Sequence, residues 1–359
     1  MNEDELNLVN PYEFTVDGEP DENFIPSGLP TLDLLLTNRV GCCFRKGTVV
    51  RLIGDSGSGK SMLGMHLLAT VAKDKNCKDY AIHYFDREMG IVTLPVAQRF
   101  GKDVADKLNY WSVDDLPDTI EGMHQLIRET CLKQPSIIVI DSLDTLLAEK
   151  EKAFIEESEK LRKDNKTVGE ASMCLSARAS KLAWKSTNAV VAQTRSIVIM
   201  ISQTIDSPSP YASAYTTSGG NANNFFATIS LGLKIGAKLM KKDRFGNERQ
   251  IGNKVTITPI KNRQTAIIKE SVDCTLYYAL GFCPQEDVFD MLNKRFEVLK
   301  SAGAYIKGAE FIMNTPDGTN HRRGDIMKTL VKEPGAYERA LSRMKEEWIK
   351  SNEDFASIF

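Results

Sequence analysis

The stretch "VVRLIGDSGSGKSMLGMHLL", residues 49–68, restricts this chain more than any other part of it. Val49, Val50, Leu52 and Ile53 form a short β-rich apolar run, and Met62, Leu63, Met65, Leu67 and Leu68 suit a buried helix. Between them, Gly54-Asp55-Ser56-Gly57-Ser58-Gly59-Lys60-Ser61 matches G-x-x-x-x-G-K-[ST] in full. Strand, glycine-rich loop and helix in that order make a cradle for phosphate. The glycines let the backbone curl, so that successive N–H groups face an anion at a helix N-terminus whose dipole favours it. Lys60 would neutralise the β- and γ-phosphates, and Ser61 would offer its hydroxyl to Mg²⁺. The motif predicts a nucleoside triphosphate bound on an α/β sheet.

Three more apolar runs extend the sheet. "PSIIVIDSLDTLL" carries Ile137 to Ile140 into Asp141, the pattern of a fully buried parallel strand. A carboxylate at the C-terminal end of such a strand stands where open α/β sheets bind ligands, so Asp141 can hold the Mg²⁺ shell. "YAIHYFDREMG" runs a strand into Asp86-Arg87-Glu88, and either acid can orient an attacking water. "SIVIMISQT" ends in Ser202-Gln203, where a buried amide can meet the γ-phosphate or its water. Beyond it lies "TTSGGNANNFF", residues 216–226. Without helical or strand periodicity at its start, it reads as an exposed loop, running to about Asn224 and feeding into an ordered element, and its Gly-Gly backbone suits close approach to an extended ligand.

Bulk properties narrow the classes. The 359 residues suffice for one large domain with an appendage or for two modest domains, and 42% hydrophobic with 26% charged residues is ordinary for a soluble protein. No apolar run approaches the roughly 18 to 20 residues that span a bilayer. The acidic "MNEDELNLVNPYEF" lacks the basic and apolar regions of a signal peptide, so the expected location is cytoplasmic. The seven cysteines show no CxxC spacing and only four histidines are present, which gives no zinc pattern; Cys42-Cys43 reads as reduced and buried. A net charge of −2 argues against a broadly basic nucleic-acid coat but leaves room for a local stripe.

The order of these pieces resembles the RecA-type DNA recombinases. "IPSGLPTLDLLL" resembles the family's segment before the phosphate loop, "IIVIDSLDTL" its Walker B strand, and "MCLSARASKLAWK" the helix after its first DNA-binding loop. "IMISQT" is similar to the strand ending in its sensor glutamine, and "TTSGGNANNFFATISLGL" to its second DNA-binding loop and following strand. "ITPIKNRQTA" resembles its K-N-K segment and "KSAGAYIKGA" a segment near its C-terminal cap.

The resemblance implies an α/β fold: a RecA-like P-loop ATPase core with a mostly parallel, doubly wound sheet, a short N-terminal arm (1–24), a core (25–283) and a small C-terminal α/β cap (284–359). It implies ATP and Mg²⁺ as cofactors, with Glu88 as the base that activates water, Asp141 as the Walker B acid and Gln203 as the γ-phosphate sensor. It implies that Lys261 and Arg263 reach ATP bound by the adjacent subunit, where arginine adds a planar fork suited to phosphate. Tyr277 is similar to the tyrosine that packs on adenine, with Tyr278 an equal candidate. Met173, Arg178, Lys185, Gly219, Gly220 and Asn221 would contact DNA. Phe225 would carry the signal between loop and neighbouring subunit; from the residues alone it reads as a core aromatic at a strand start. The implied partners are single-stranded DNA, a homologous duplex and further copies of the chain in a helical filament or a ring, with no membrane.

Some features depart from bacterial RecA. The charged segment "AEKEKAFIEESEKLRKDNKTVGEA" (148–171) exceeds the bacterial first loop in length and reads as a solvated helical excursion. A comparably charged segment occurs in the T-even-phage recombinases, the branch this chain resembles more. Tyr12, Phe14 and Val16 alternate as on a strand and suit a docking arm. "DRFGNERQIGNKVTITPI" predicts a hairpin turning at Gly246-Asn247, and "EDVFDMLNKRFEVLKSAGAY" and "YERALSRMKEEWIKS" predict two amphipathic helices. A hexameric helicase and a RecA-like assembly protein without DNA chemistry are the rival classes.

Overall fold

Four of the predicted runs become the centre of one sheet because their side chains have no polar alternative to burial. The computed structural model describes residues 21–91, 93–163, 175–204, 221–243, 245–265, 270–302 and 305–356. They divide into two compact units, one made of Phe44–Ile235 and Thr256–Gln264, the other of the remainder. Tyr12, Phe14 and Val16, expected to form a docking arm, lie outside the described residues.

In the first unit, the strands are β1 (Val49–Gly54), β2 (Ala81–Asp86), β3 (Leu108–Trp111), β4 (Ser136–Asp141), β5 (Ile197–Gln203), and the near halves of β6 (Ile229–Lys242) and β7 (Glu248–Asn262). Their order across the sheet is β7-β6-β1-β5-β4-β2-β3. From β6 to β3 every pairing is parallel. β1 and β4 are buried at every residue, as strands covered on both faces must be.

The covering helices are α1 (Lys60–Lys73), α2 (Ile120–Lys133), α3 (Glu149–Lys163), α4 (Leu175–Thr194) and α5 (Asn221–Phe226). On one face, α1 comes so close that a Cβ at Gly64 would sit 3.0 Å from Val139 Cγ1. On the other, Ile120, Met123 and Ile127 of α2 and Trp184 and Val191 of α4 pack with Phe85, Ile138, Ile140, Val198 and Met200. Each aliphatic side chain removed from water contributes about 1.5–3 kcal/mol. The sheet is thus doubly wound, as expected.

The hairpin forms where predicted: Asp243 N donates to Asn247 O and Gly246 N to Asp243 O, with Gly246 at φ 86°. Of the charged excursion, Glu149–Lys163 is helical as α3, tied at its start by a Lys152–Asp118 ion pair at 2.5 Å and by Glu149 N donating to Glu121 Oε2, and 164–171 lie outside the described residues.

The second unit holds the far half of the hairpin, β8 (Val272–Tyr277), β9 (Gly281–Phe282), α6 (Pro284–Asp290), α7 (Arg323–Lys332) and α8 (Pro334–Ala356). Lys254 Nζ meets Asp290 Oδ2 at 2.7 Å, and Asp287 Oδ1 accepts Thr275 N at the same distance. Burial pushes the Asp287 carboxyl up to about 7. In "SGLPTLD", Asp33 accepts Ser27 Oγ at 2.5 Å and Gly41 N at 2.8 Å, while burial pushes its carboxyl up to about 6. The second C-terminal helix forms as expected, and the first is cut short. After α6, Phe296 N donates to Met291 O, Glu297 takes φ 53°, and Leu299 N turns back to Leu292 O to bury Leu299. Lys300–Ala302 then pairs as a strand with Tyr305–Lys307.

A larger correction concerns "NANNFF". These six residues form α5 rather than loop. Trp184, fully buried on α4, donates Nε1 to Asn223 Oδ1 at 2.8 Å, and the His124 ring stands edge-on to it at 4.5 Å. Trp184→Phe leaves the buried Asn223 oxygen without its donor. It is expected to cost about 1–3 kcal/mol, read as a lower midpoint of urea unfolding; an unchanged midpoint would remove α5 anchoring from its role.

Candidate nucleotide and nucleic-acid site

The phosphate loop leaves β1 at Gly54, where no side chain fits: a Cβ there would lie 2.3 Å from Leu233 O and 2.7 Å from Ser58 Oγ. Gly57 and Gly59 take φ values of 76° and 92°. Ser58 N donates to Asp55 O and closes the curl. The 14-residue α1 begins without a side-chain cap, so its first N–H groups face the loop, the arrangement that receives an anion. Asp55, Ser56 and Gly57 are exposed, while Ser58 and Lys60 are buried.

Lys60 Nζ donates to Gly54 O and Asp55 O, both at 2.8 Å. Burial lowers its pKa, opposed by the charges of Asp141, Glu88 and Asp55. Ser61 Oγ donates to Asp141 Oδ2 at 2.5 Å, and Tyr84 OH to the same oxygen at 2.7 Å. Burial raises the Asp141 carboxyl and these two hydrogen bonds oppose the rise. A hydroxyl and a carboxylate oxygen side by side fit one edge of a Mg²⁺ shell, an ion that keeps waters and phosphate oxygens for the rest. Among the described residues no group of three or more His, Cys, Asp or Glu forms a metal cage.

The register sets the strand ends side by side: Gly54 opposite Gln203, and Asp86 opposite Asp141. Asp86 is fully buried and accepts Gly90 N, Ile91 N and Tyr110 OH at 3.0–3.1 Å, so it is consumed by its own turn. Glu88 is exposed, accepts Ser142 Oγ at 2.5 Å, and receives Gln203 Nε2 at 3.3 and 3.1 Å on its two oxygens. Of the two acids left open by the sequence, only Glu88 faces the site. The amide of Gln203 was expected to be buried, yet it is exposed; β5 has left the sheet interior at that residue. Thr204 Oγ1 donates to Asp55 Oδ1.

Lys261 and Arg263 stand at and just past the end of β7. Lys261 Nζ donates to Asn224 O at 2.5 Å and Phe225 O at 3.1 Å, capping the C-terminal end of α5. The Arg263 guanidinium lies 5.9 Å from the Phe225 ring centre. Phe225 is 62% exposed, which excludes the reading of this side chain as a core aromatic. Its neighbour Phe226 packs on the core instead, with the Phe225 ring edge-on to it at 5.1 Å.

On α4, Arg178 and Lys185 are exposed, while Trp184 is buried. Lys181, exposed between them, went unread in the sequence; its i+3 spacing from Arg178 is the signal that finds it. Asn221 opens α5, while Met173, Gly219 and Gly220 lie outside the described residues. Tyr277 and Tyr278 belong to the second unit: Tyr277 OH donates to Glu286 Oε1 at 2.8 Å, and the exposed Tyr278 accepts from Gln250 and Asn253. Ser142, Asp144 and Tyr84 were legible only as strand and strand-end residues.

A doubly wound, mostly parallel sheet with a glycine-rich loop between its first long strand and helix, and polar pairs at its strand ends, places the chain in the α/β class with a RecA-like core. The chain matches the RecA N-terminal domain family over residues 17–283, and it belongs to that family. It is 28% identical to protein RecA of Petrotoga mobilis over 78% of this chain and 68% of the relative. With protein RecA of Geobacter sulfurreducens it shares 26% identity over 89% and 90%. Protein RecA of Bifidobacterium longum is also 26% identical, over 94% and 77%. No described helix is long and apolar enough to cross a membrane.

Gly54→Ala drives a Cβ into the Leu233 carbonyl and is expected to weaken binding of a fluorescent ATP analogue by about tenfold or more. Titration at the parent's affinity would show that the loop does not hold the nucleotide.

Proposed function

We propose that this protein is an ATP-dependent homologous recombinase, which assembles on single-stranded DNA and pairs it with a homologous duplex. One observation carries the reading: both ends of the segment 205–220 are tied to groups suited to a triphosphate. At its start, Gln203 bonds Glu88 and Thr204 bonds Asp55 of the phosphate loop. Just past its end, Lys261 bonds the last carbonyls of α5, beside Arg263.

In this reading Lys60 and the loop N–H groups bind the phosphates of ATP, and Ser61 with Asp141 hold Mg²⁺, which would neutralise charge on them. Glu88 orients the attacking water and Gln203 holds Glu88 in place. Lys261 and Arg263 serve ATP bound by an adjoining copy, so nucleotide sits between subunits and sets the state of 205–220. That segment, with Gly219, Gly220 and Asn221, and the exposed Arg178, Lys181 and Lys185 of α4, grips single-stranded DNA. Hydrolysis loosens the grip, a phosphate-controlled switch. The long charged α3 region and "YFDREMG" favour the phage-type branch.

The decisive measurement is strand transfer between a labelled single strand and homologous duplex. Transfer is expected with ATP and Mg²⁺ and not without ATP, and Lys60→Ala is expected to lose both hydrolysis and transfer. Absence of transfer by the parent under all conditions, or transfer indifferent to ATP, sinks the reading.

A pH profile tests the subunit contact. Burial first, then the charges of Arg263 and Arg51, push Lys261 down to about 8. Lysine is charged below its pKa and neutral above, so DNA-stimulated hydrolysis is expected to fall as pH rises through about 8. Lys261→Arg stays charged and should remove that limb; a profile identical to the parent's would show that the Lys261 charge takes no part.

A further inference from the structure

Two charged side chains outside the candidate site, Arg51 and Asp144, converge on the exit of β5. Arg51 lies inside β1, opposite Met200, and is 2% exposed. A guanidinium among buried strands costs several kcal/mol unless partners replace its water. The fold does not demand it, because an aliphatic residue would pack beside Val49 and Met200 without that cost. Arg51 Nε donates to Ser202 Oγ at 3.2 Å. The charge of Asp144 supports the buried cation, opposing the fall in pKa that burial imposes. Asp144, in the turn after β4, in turn accepts Gln203 N on Oδ2 at 3.0 Å. The cation therefore holds the side chain of Ser202, and its counter-charge holds the backbone of the next residue.

We infer that Arg51 and Asp144 are a positioning pair, which fixes the last two residues of β5 so that the Gln203 amide stays on the Glu88 carboxylate. Neither touches the phosphates in this role. They act through Gln203 on the acid that orients water, so they govern the chemical step rather than nucleotide affinity. The inference rests on the ATPase reading above.

The test uses the full chain and two variants, Asp144→Ala and the double variant Arg51→Leu/Asp144→Asn, which removes both charges and leaves none buried alone. Nucleotide affinity is read with a fluorescent ATP analogue, and kcat and KM from single-stranded-DNA-stimulated ATP hydrolysis. Both variants are expected to bind the analogue within about twofold of the parent and to hydrolyse ATP with kcat reduced about tenfold or more. A kcat within about twofold of the parent overturns the positioning role. Parallel loss of analogue binding and kcat in both variants also overturns it, since that marks a purely structural pair. A parent chain that hydrolyses no ATP overturns the ATPase reading itself, and the positioning role falls with it.

Discussion

The parallel hydrogen-bond register of the central strands is the constraint on which the rest depends. It sets Gly54 at the end of β1 opposite Gln203 at the end of β5, and Asp86 opposite Asp141. Parallel strands all present their C-terminal ends at one edge, so the glycine-rich loop, the Asp141 carboxylate and the acid–amide pair meet there without any one segment having to find another. A shift of one residue in β5 would turn Gln203 to the other face and break its bond to Glu88. Val198, Met200 and Ile138 pack in one layer of the core, and the bonds from Arg51 to Ser202 and from Gln203 to Asp144 hold the end of β5 at this register.

Around this edge the polar contacts form a chain. Arg51 holds Ser202, Asp144 holds Gln203, Gln203 holds Glu88, and Ser142 holds Glu88 from the β4 side. Charges of both signs crowd the site: Lys60 faces Asp55, Glu88 and Asp141, with burial acting against its cation. An incoming anionic phosphate with its cation suits such a set, since it offers Lys60 a partner and leaves the acids a counter-charge. A second chain leads away: Trp184 of α4 holds Asn223 of α5, and α5 ends on Lys261. The helices that follow the two candidate DNA loops are thereby one mechanical body.

Much of the fold was legible because its strands are unusually uniform. Ile137 to Ile140 have no polar face, so only a strand covered on both sides accommodates them. The phosphate loop was legible because its glycines answer a geometric need that other residues cannot meet, as the contact at Gly54 shows. "NANNFF" was misread because Asn has low helix propensity, while the Trp184–Asn223 bond and the Lys261 cap, both distant in sequence, stabilise the short helix. The first C-terminal helix was overextended for a related reason: its periodicity continues past Arg295, but burying Leu299 requires the chain to reverse at Glu297.

By itself, then, the sequence determined the strand-loop-helix cradle, the run of buried strands and which residue types stand at their ends, since these follow from local pattern and backbone sterics. Tertiary structure alone decided which acid faces the site: Asp86 is spent on Gly90, Ile91 and Tyr110, and Glu88 is free to meet Gln203. It also decided that Phe226 and not Phe225 enters the core, and that a buried arginine in β1 is matched by Asp144 from the turn after β4. Apart from the Gly90 and Ile91 contacts of the Asp86 turn, those choices depend on partners tens of residues away, and no local pattern carries the distance between them.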